Sequence, residues 1–254
     1  TILENSPRNS EKKFQNDVIV IAPYFIEYLN LIKGNGGTPV IINSTDDYGI
    51  DIHSIERAIS PFTKAIIINS PNNPTGRVYS NNELIRLAEV LKKKNEELKI
   101  NIKVIEDSVY ETIRFNKKNI PSLISNYPLL FRVNSYSKSM SLSGERIGYY
   151  VIHPNIGDKE FRKNLQSTLR LNMRIRVVHA PLFQQRILSR IPIDCVTDVN
   201  YYKNNIDMLY NCITELGYKV LKPEGTFYLW ATLPDRYNGE EQFRKEAING
   251  NAPL

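Results

Sequence analysis

Residues 135–149 read SYSKSMSLSGERIGY. The apolar run Leu129–Val133 leads into this stretch and Ile147–Ile152 leads out of it, so it reads as a loop between two strands. Small hydroxyl residues, Ser137, Ser139 and Ser141, crowd one lysine, Lys138, and Arg146 follows eight positions later. Loops at the carboxyl ends of strands in open α/β sheets are where ligands sit. An amine in such a place is either one more solvated surface lysine or a nucleophile toward a carbonyl carbon.

Upstream of it, strands and helices alternate. Val18–Ala22 is a short continuous apolar run, as a strand buried on both faces should be, and Pro23 ends it. Pro39–Ile42, Ala65–Ile68 and Ile102–Ile105 repeat that pattern. Between them, Phe25, Tyr28, Leu29 and Ile32 fall at helical spacing over Phe25–Lys33, stopped by Gly34, Gly36 and Gly37. Ile52, Ile55 and Ile59 form a second stripe after Asp51, a plausible N-cap. Asn81–Leu98 carries Leu84, Leu87, Ala88 and Leu91 on one face. This alternation predicts an α/β fold, a mostly parallel sheet with helices on both faces.

Downstream the rhythm changes. Lys159–Arg170, Pro181–Ser189 and Thr197–Leu216 read as helices, and two short strands, Val220-Leu221 and Thr226–Thr232, flank Pro223-Glu224-Gly225. The expected division is a large domain over 1–191 and part of a smaller α+β domain over 192–254. Thr1–Asn5 reads as the tail of a helix, followed by a polar loop.

Bulk properties exclude several classes. Of 254 residues, 41% are hydrophobic and 24% charged, the balance of a soluble globular protein. The formal charge of +6 is scattered; the one lysine run, Lys92–Lys94, lies beside Glu96 and Glu97 and reads as a solvated helix face, not a nucleic-acid surface. No apolar run reaches the length of a membrane span, and no signal peptide is apparent, so a cytoplasmic location is expected. Cys195 and Cys212 lack metal-ligand spacing and read as buried thiols. No metal site is expected. His53 and His179 read as structural, and nothing is assigned to His153.

At the strand ends stand an amide (Asn73 in SPNNPTG, residues 70–76), an acid (Asp107), a phenol (Tyr110), the amine of Lys138 and the guanidinium of Arg146. Alone, an Asn-Pro marks a turn and an Asp caps a helix. Together they suit a planar, anionic, hydrogen-bonding molecule that reacts with an amine. Pyridoxal phosphate has those properties: an aldehyde, a ring nitrogen that needs a carboxylate partner, a phenolic oxygen and a phosphate.

These stretches resemble the fold type I pyridoxal-phosphate enzymes, specifically the class I/II aminotransferases of the aspartate-aminotransferase-like fold. SPNNPTG, the EDxxY of Glu106–Tyr110 and SYSKSxSLxGERIGY follow that family's three signature segments in order; APYFIEY (22–28) and PEGTFYLW (223–230) are weaker likenesses. The resemblance implies that Lys138 is the internal-aldimine lysine and that Asp107 keeps the pyridine nitrogen protonated. It implies that Asn73 and Tyr110 donate to the phenolic oxygen, and that Ser135, Ser137 and Arg146 bind the phosphate. Phe25 falls where an aromatic ring stacks on the cofactor; a core aromatic explains it equally well. The implied reaction moves an amino group from an L-amino acid to a 2-oxo acid in a homodimer. A lyase, decarboxylase or cyclase on the same scaffold, or a non-catalytic relative, are the alternatives.

Two expected parts are not found. The family's Gly-rich phosphate segment precedes the first strand, and residues 1–17 do not supply it. The arginine that pairs with the substrate carboxylate lies well beyond PEGTFYLW, and Arg236 and Arg244 come too early to match it. The resemblance therefore implies a chain missing both ends.

Overall fold

The computed structural model describes residues 16–116, 121–192 and 194–250. The helical tail read at Thr1–Asn5 lies outside them. Six strands form one sheet: β1 (Asp17–Ala22), β2 (Thr38–Asn43), β3 (Thr63–Asn69), β4 (Lys103–Asp107), β5 (Leu130–Ser135) and β6 (Gly148–Ile152). Their order is β2-β1-β3-β4-β5-β6. The first five run parallel. β6 returns antiparallel to β5, Phe131 opposite Ile152 and Ser135 opposite Gly148. The intervening 136–147 stretch holds the one-turn helix α4 (Tyr136–Ser139) and a single 3-10 turn over Ser143–Glu145, too short to cross the sheet and return a parallel strand.

Both sheet faces are covered, as the apolar runs require. Ile19, Ile21, Ile66, Ile68 and Val104 pack with Ile55 of α2 (Ile52–Ala58) and with Leu84, Leu87, Ala88 and Leu91 of α3 (Asn81–Leu98). Val18, Val20, Ala65 and Ile67 face the other way, against Tyr28 and Ile32 of α1 (Glu27–Gly34). Asp51 caps α2 as expected, accepting from Ser54 N at 2.9 Å. Ser80 and Glu83 form a reciprocal capping box on α3. α1 starts two residues later than the periodicity predicts, leaving Phe25 in the preceding loop.

Beyond the sheet come α5 (Lys159–Arg176), α6 (Leu182–Leu188), α7 (Val199–Glu215) and α8 (Glu240–Asn249), the last unanticipated. α5 is a turn and a half longer than expected. The two late strands shrink to β7 (Lys219–Val220) and β8 (Ala231–Thr232), paired antiparallel. Most of Thr226–Thr232 is not strand, because its backbone is spent on loop contacts described below. Among the described residues, no helix is long and apolar enough to cross a membrane.

Candidate active site

Parallel register brings the expected residues to one edge. Asn69 at the end of β3 lies opposite Asp107 at the end of β4, and Asp107 lies opposite Val133, two residues before Ser135. The connection after β1 goes to β2 on one side, while β3 lies on the other. The strand order thus reverses between β1 and β3, where a crevice forms outside the carboxyl ends.

Asp107 stands at this crevice. Its Oδ2 accepts from the Tyr28 hydroxyl at 2.5 Å, and its Oδ1 accepts from Val109 N at 3.3 Å. Its carbonyl accepts from the Asn69 amide at 3.0 Å, and the Asn69 Oδ1 in turn accepts from Asn73 N at 2.7 Å. Burial pushes the Asp107 carboxyl above the usual carboxylate range, against the opposing pull of its two hydrogen bonds. Burial likewise pushes the Tyr28 phenol well up, and the Asp107 charge adds to it. Asp107 and Tyr28 line a cavity of about 490 Å³, otherwise mostly apolar, between the sheet and α5. A carboxylate so poorly hydrated gains from a cationic or protonated partner, which is what a pyridine nitrogen offers.

Tyr110 is buried next to it. Its hydroxyl lies 3.1 Å from that of Tyr228. Its phenol is pushed far up by burial first, then by the Tyr228 bond and the Asp107 charge, while a bond with the Asn73 side chain pulls it down. Tyr110 also packs edge-on against Phe227, with centroids 5.5 Å apart. The Lys138 Nζ sits 5.2 Å from the centroid of that same Phe227 ring. Lys138 is half-buried on α4 and makes no ion pair among the described residues. Tyr110 and Lys138 are thus joined through Phe227 and Tyr228, the Asn73 side chain bonds Tyr110, and Asn69 links Asn73 to Asp107.

The hydroxyl pair is local to the same turn. Ser135 caps α4, its Oγ accepting from Ser137 N at 3.1 Å and donating to Ser137 Oγ at 2.8 Å. Arg146 is exposed, in a left-handed conformation (φ 50°), and donates to Ser143 O at 2.8 Å. Its guanidinium bonds its own turn and not the two serines. Phe25 is 40% exposed and meets Tyr28 edge-on at 5.6 Å, so it is not a core aromatic.

Three participants escaped the sequence pattern. Tyr28 reads as one more apolar helix position; a phenol three residues after Phe25, on the face turned to the strand ends, is the signal that was available. Phe227 and Tyr228 lie in PEGTFYLW, more than a hundred residues after Tyr110. The cysteines need correction: Cys195 and Cys212 are both exposed, since α7 turns its Cys212 side outward and Cys195 lies in a loop. His153 is buried, its Nδ1 accepting from Asn155 N, so Nε2 carries the hydrogen donated to Ile124 O.

A doubly wound sheet with an acid, an amide, a phenol and an amine at its carboxyl edge is the frame of a cofactor-binding α/β enzyme. Residues 11–250 match the family model Aminotransferase class I and II, and the chain belongs to that family. It is 31% identical to the aspartate aminotransferase of Bacillus sp. (strain YM-2) over 87% of this chain and 54% of that protein. It is 28% identical to a probable aspartate aminotransferase of Methanocaldococcus jannaschii, over 91% of this chain and 60% of that one. A solved amino transferase of Eubacterium rectale superposes with a TM-score of 0.84 at 34% identity, covering 92% of this chain and 58% of the other. The chain therefore spans little more than half the length of the relatives it matches.

Proposed function

We propose that this chain carries the cofactor half of an aminotransferase that moves an amino group from an L-amino acid to a 2-oxo acid. One observation carries the reading: in a chain of this family, Asp107, Asn73, Tyr110 and Lys138 converge on one sheet edge. The family's cofactor is pyridoxal 5′-phosphate, which supplies an aldehyde for an amine and a ring that accepts an electron pair. The residues present suit it. The poorly hydrated Asp107 carboxylate holds a proton at the ring nitrogen, and Tyr28 fixes the carboxylate's orientation. Asn73 and Tyr110 donate to an anionic ring oxygen. Ser135 and Ser137 offer hydroxyls to a phosphate, and Arg146 reaches it after leaving its Ser143 contact. Phe25, at the rim, is available to stack on the ring. The Lys138 amine is the nucleophile and, once released, the carrier of the proton moved during transfer.

Residues from about 192 onward are proposed as part of a smaller second domain, and the working protein as a cytoplasmic homodimer. Adding pyridoxal phosphate to the purified chain is expected to produce a visible absorption band that Lys138→Ala lacks. The wild-type chain failing to give that band defeats the reading. With a panel of amino acids, 2-oxo acid without ammonia marks transfer, whereas ammonia with pyruvate marks elimination.

A further inference from the structure

Residues 223–228 are threaded between two loops that belong to the sheet. Glu224 N and Gly225 N both donate to Gly76 O, at 3.0 and 3.1 Å. Phe115 N donates to Glu224 O at 2.8 Å, and Thr226 N to Ile113 O at 2.8 Å. The approach leaves no room for side chains: a Cβ on Gly76 would lie 2.3 Å from Pro223 Cβ, and one on Gly225 would lie 2.6 Å from Ile113 O. One ion pair spans the same junction. Glu224 Oε2 accepts from Arg77 Nη1 at 2.8 Å and from Val78 N at 3.1 Å. Arg77 Nη2 meanwhile faces Asp47 at 3.2 Å and Glu83 at 3.5 Å. The guanidinium therefore bridges carboxylates from three segments.

Immediately after this junction come the two rings of the site. Thr226 is fully buried with φ 67°, and its Oγ1 accepts from Tyr228 N at 3.2 Å. The backbone reversal sends Phe227 over Lys138 and Tyr228 against Tyr110. We propose that Arg77 and Glu224 are positioning residues: their ion pair clamps residues 223–228 to the 70–79 turn and thereby sets Phe227 against the Lys138 amine and Tyr228 against the Tyr110 phenol. Neither residue touches the cluster itself. The inference rests on the proposed function for what Lys138 and Tyr110 do, but the clamp is measurable without it.

The test uses wild type, Glu224→Gln, Arg77→Met, Arg77→Lys and, as a control, the core variant Leu91→Ala. Losing one charge-assisted bond across the junction is expected to lower amide-exchange protection at Gly225 and Thr226 roughly tenfold. Trp230, the chain's single tryptophan, should become easier to quench in the same variants. With pyridoxal phosphate bound, the pH midpoint of the visible band should move in Glu224→Gln and Arg77→Met, and return toward wild type in Arg77→Lys. It should stay in place in Leu91→Ala, whose loss of stability comes from the core under α3 and does not pass through the junction. Unchanged protection at Gly225 and Thr226, or lost protection with an unmoved midpoint, overturns the proposal. A wild-type chain that forms no band overturns the functional reading instead, and the exchange measurement then decides the clamp alone.

Discussion

Helices α3 and α5 are both 18 residues long, both capped by a side chain at the N-terminus, and both amphipathic. They meet opposite fates. α3 buries Leu84, Leu87, Ala88 and Leu91 against the sheet, all four almost completely. α5 has no buried residue, and Phe161, Leu171 and Ile175 stand 48%, 57% and 74% exposed. Caps and a periodic stripe are enough to make a helix, but what stands opposite the stripe decides whether it contributes to a core. α3 meets strands that are apolar on both faces; α5 meets the cavity beside Asp107.

Four substitutions probe that difference. Leu87→Ala should cost about 3 kcal/mol of unfolding free energy, the transfer and cavity loss of a fully buried leucine, read from denaturant curves. A much smaller loss would mean that the sheet and α3 do not form the cooperative unit. Ser80→Ala should cost about 1 kcal/mol in the same curves, because the capping box holds a helix packed on the core. Asp158→Ala, which removes the equivalent cap on α5, should fray that helix in hydrogen exchange and leave the main transition in place.

Asp107 adds a pH dependence to the α5 side of the sheet. Its carboxyl is raised in the folded state, so the folded chain holds that proton at a pH where the unfolded chain has released it. Stability from this group is therefore present below the ordinary carboxylate range and falls as pH climbs through the raised value. Thermal melts across that window should show a flatter decline for Asp107→Asn, which is also expected to lose affinity for pyridoxal phosphate. A parallel decline in both proteins would remove the burial from the account. The smallest effect belongs to Ile175→Ala, within about 0.5 kcal/mol for so exposed a side chain. A loss matching that of Leu87→Ala would show α5 covered in solution, and would redraw the comparison.

Where the chain explains itself locally, its structure was legible beforehand. The strands at residues 18, 65 and 102, the Asp51 cap and the α3 stripe follow from short-range pattern, and each appears within a few residues of its expected place. The mostly parallel sheet with helices on both faces follows from their alternation. So does the convergence of Asn73, Asp107, Tyr110 and Lys138, since strand ends in such a sheet share an edge. What escaped depends on distant partners. Tyr28 looks apolar until Asp107 is set beside it. The stretch expected as strand at residues 226–232 spends its first residues on contacts with Ile113 and Tyr110 instead of pairing. Arg146 was placed with the serines by likeness alone, and its turn directs it to Ser143.

The junction at Gly76 and Gly225 also carries a consequence for synthesis. A ribosome releases the turn holding Asn73 and the loop holding Tyr110 long before it reaches Phe227 and Tyr228. During that interval the sheet edge is complete but roofless, and Lys138 has no ring beneath its ammonium. The nascent protein can acquire its scaffold early, yet the two rings that close over Tyr110 and Lys138 must wait for a hexapeptide that arrives about 150 residues after the slot waiting to receive it.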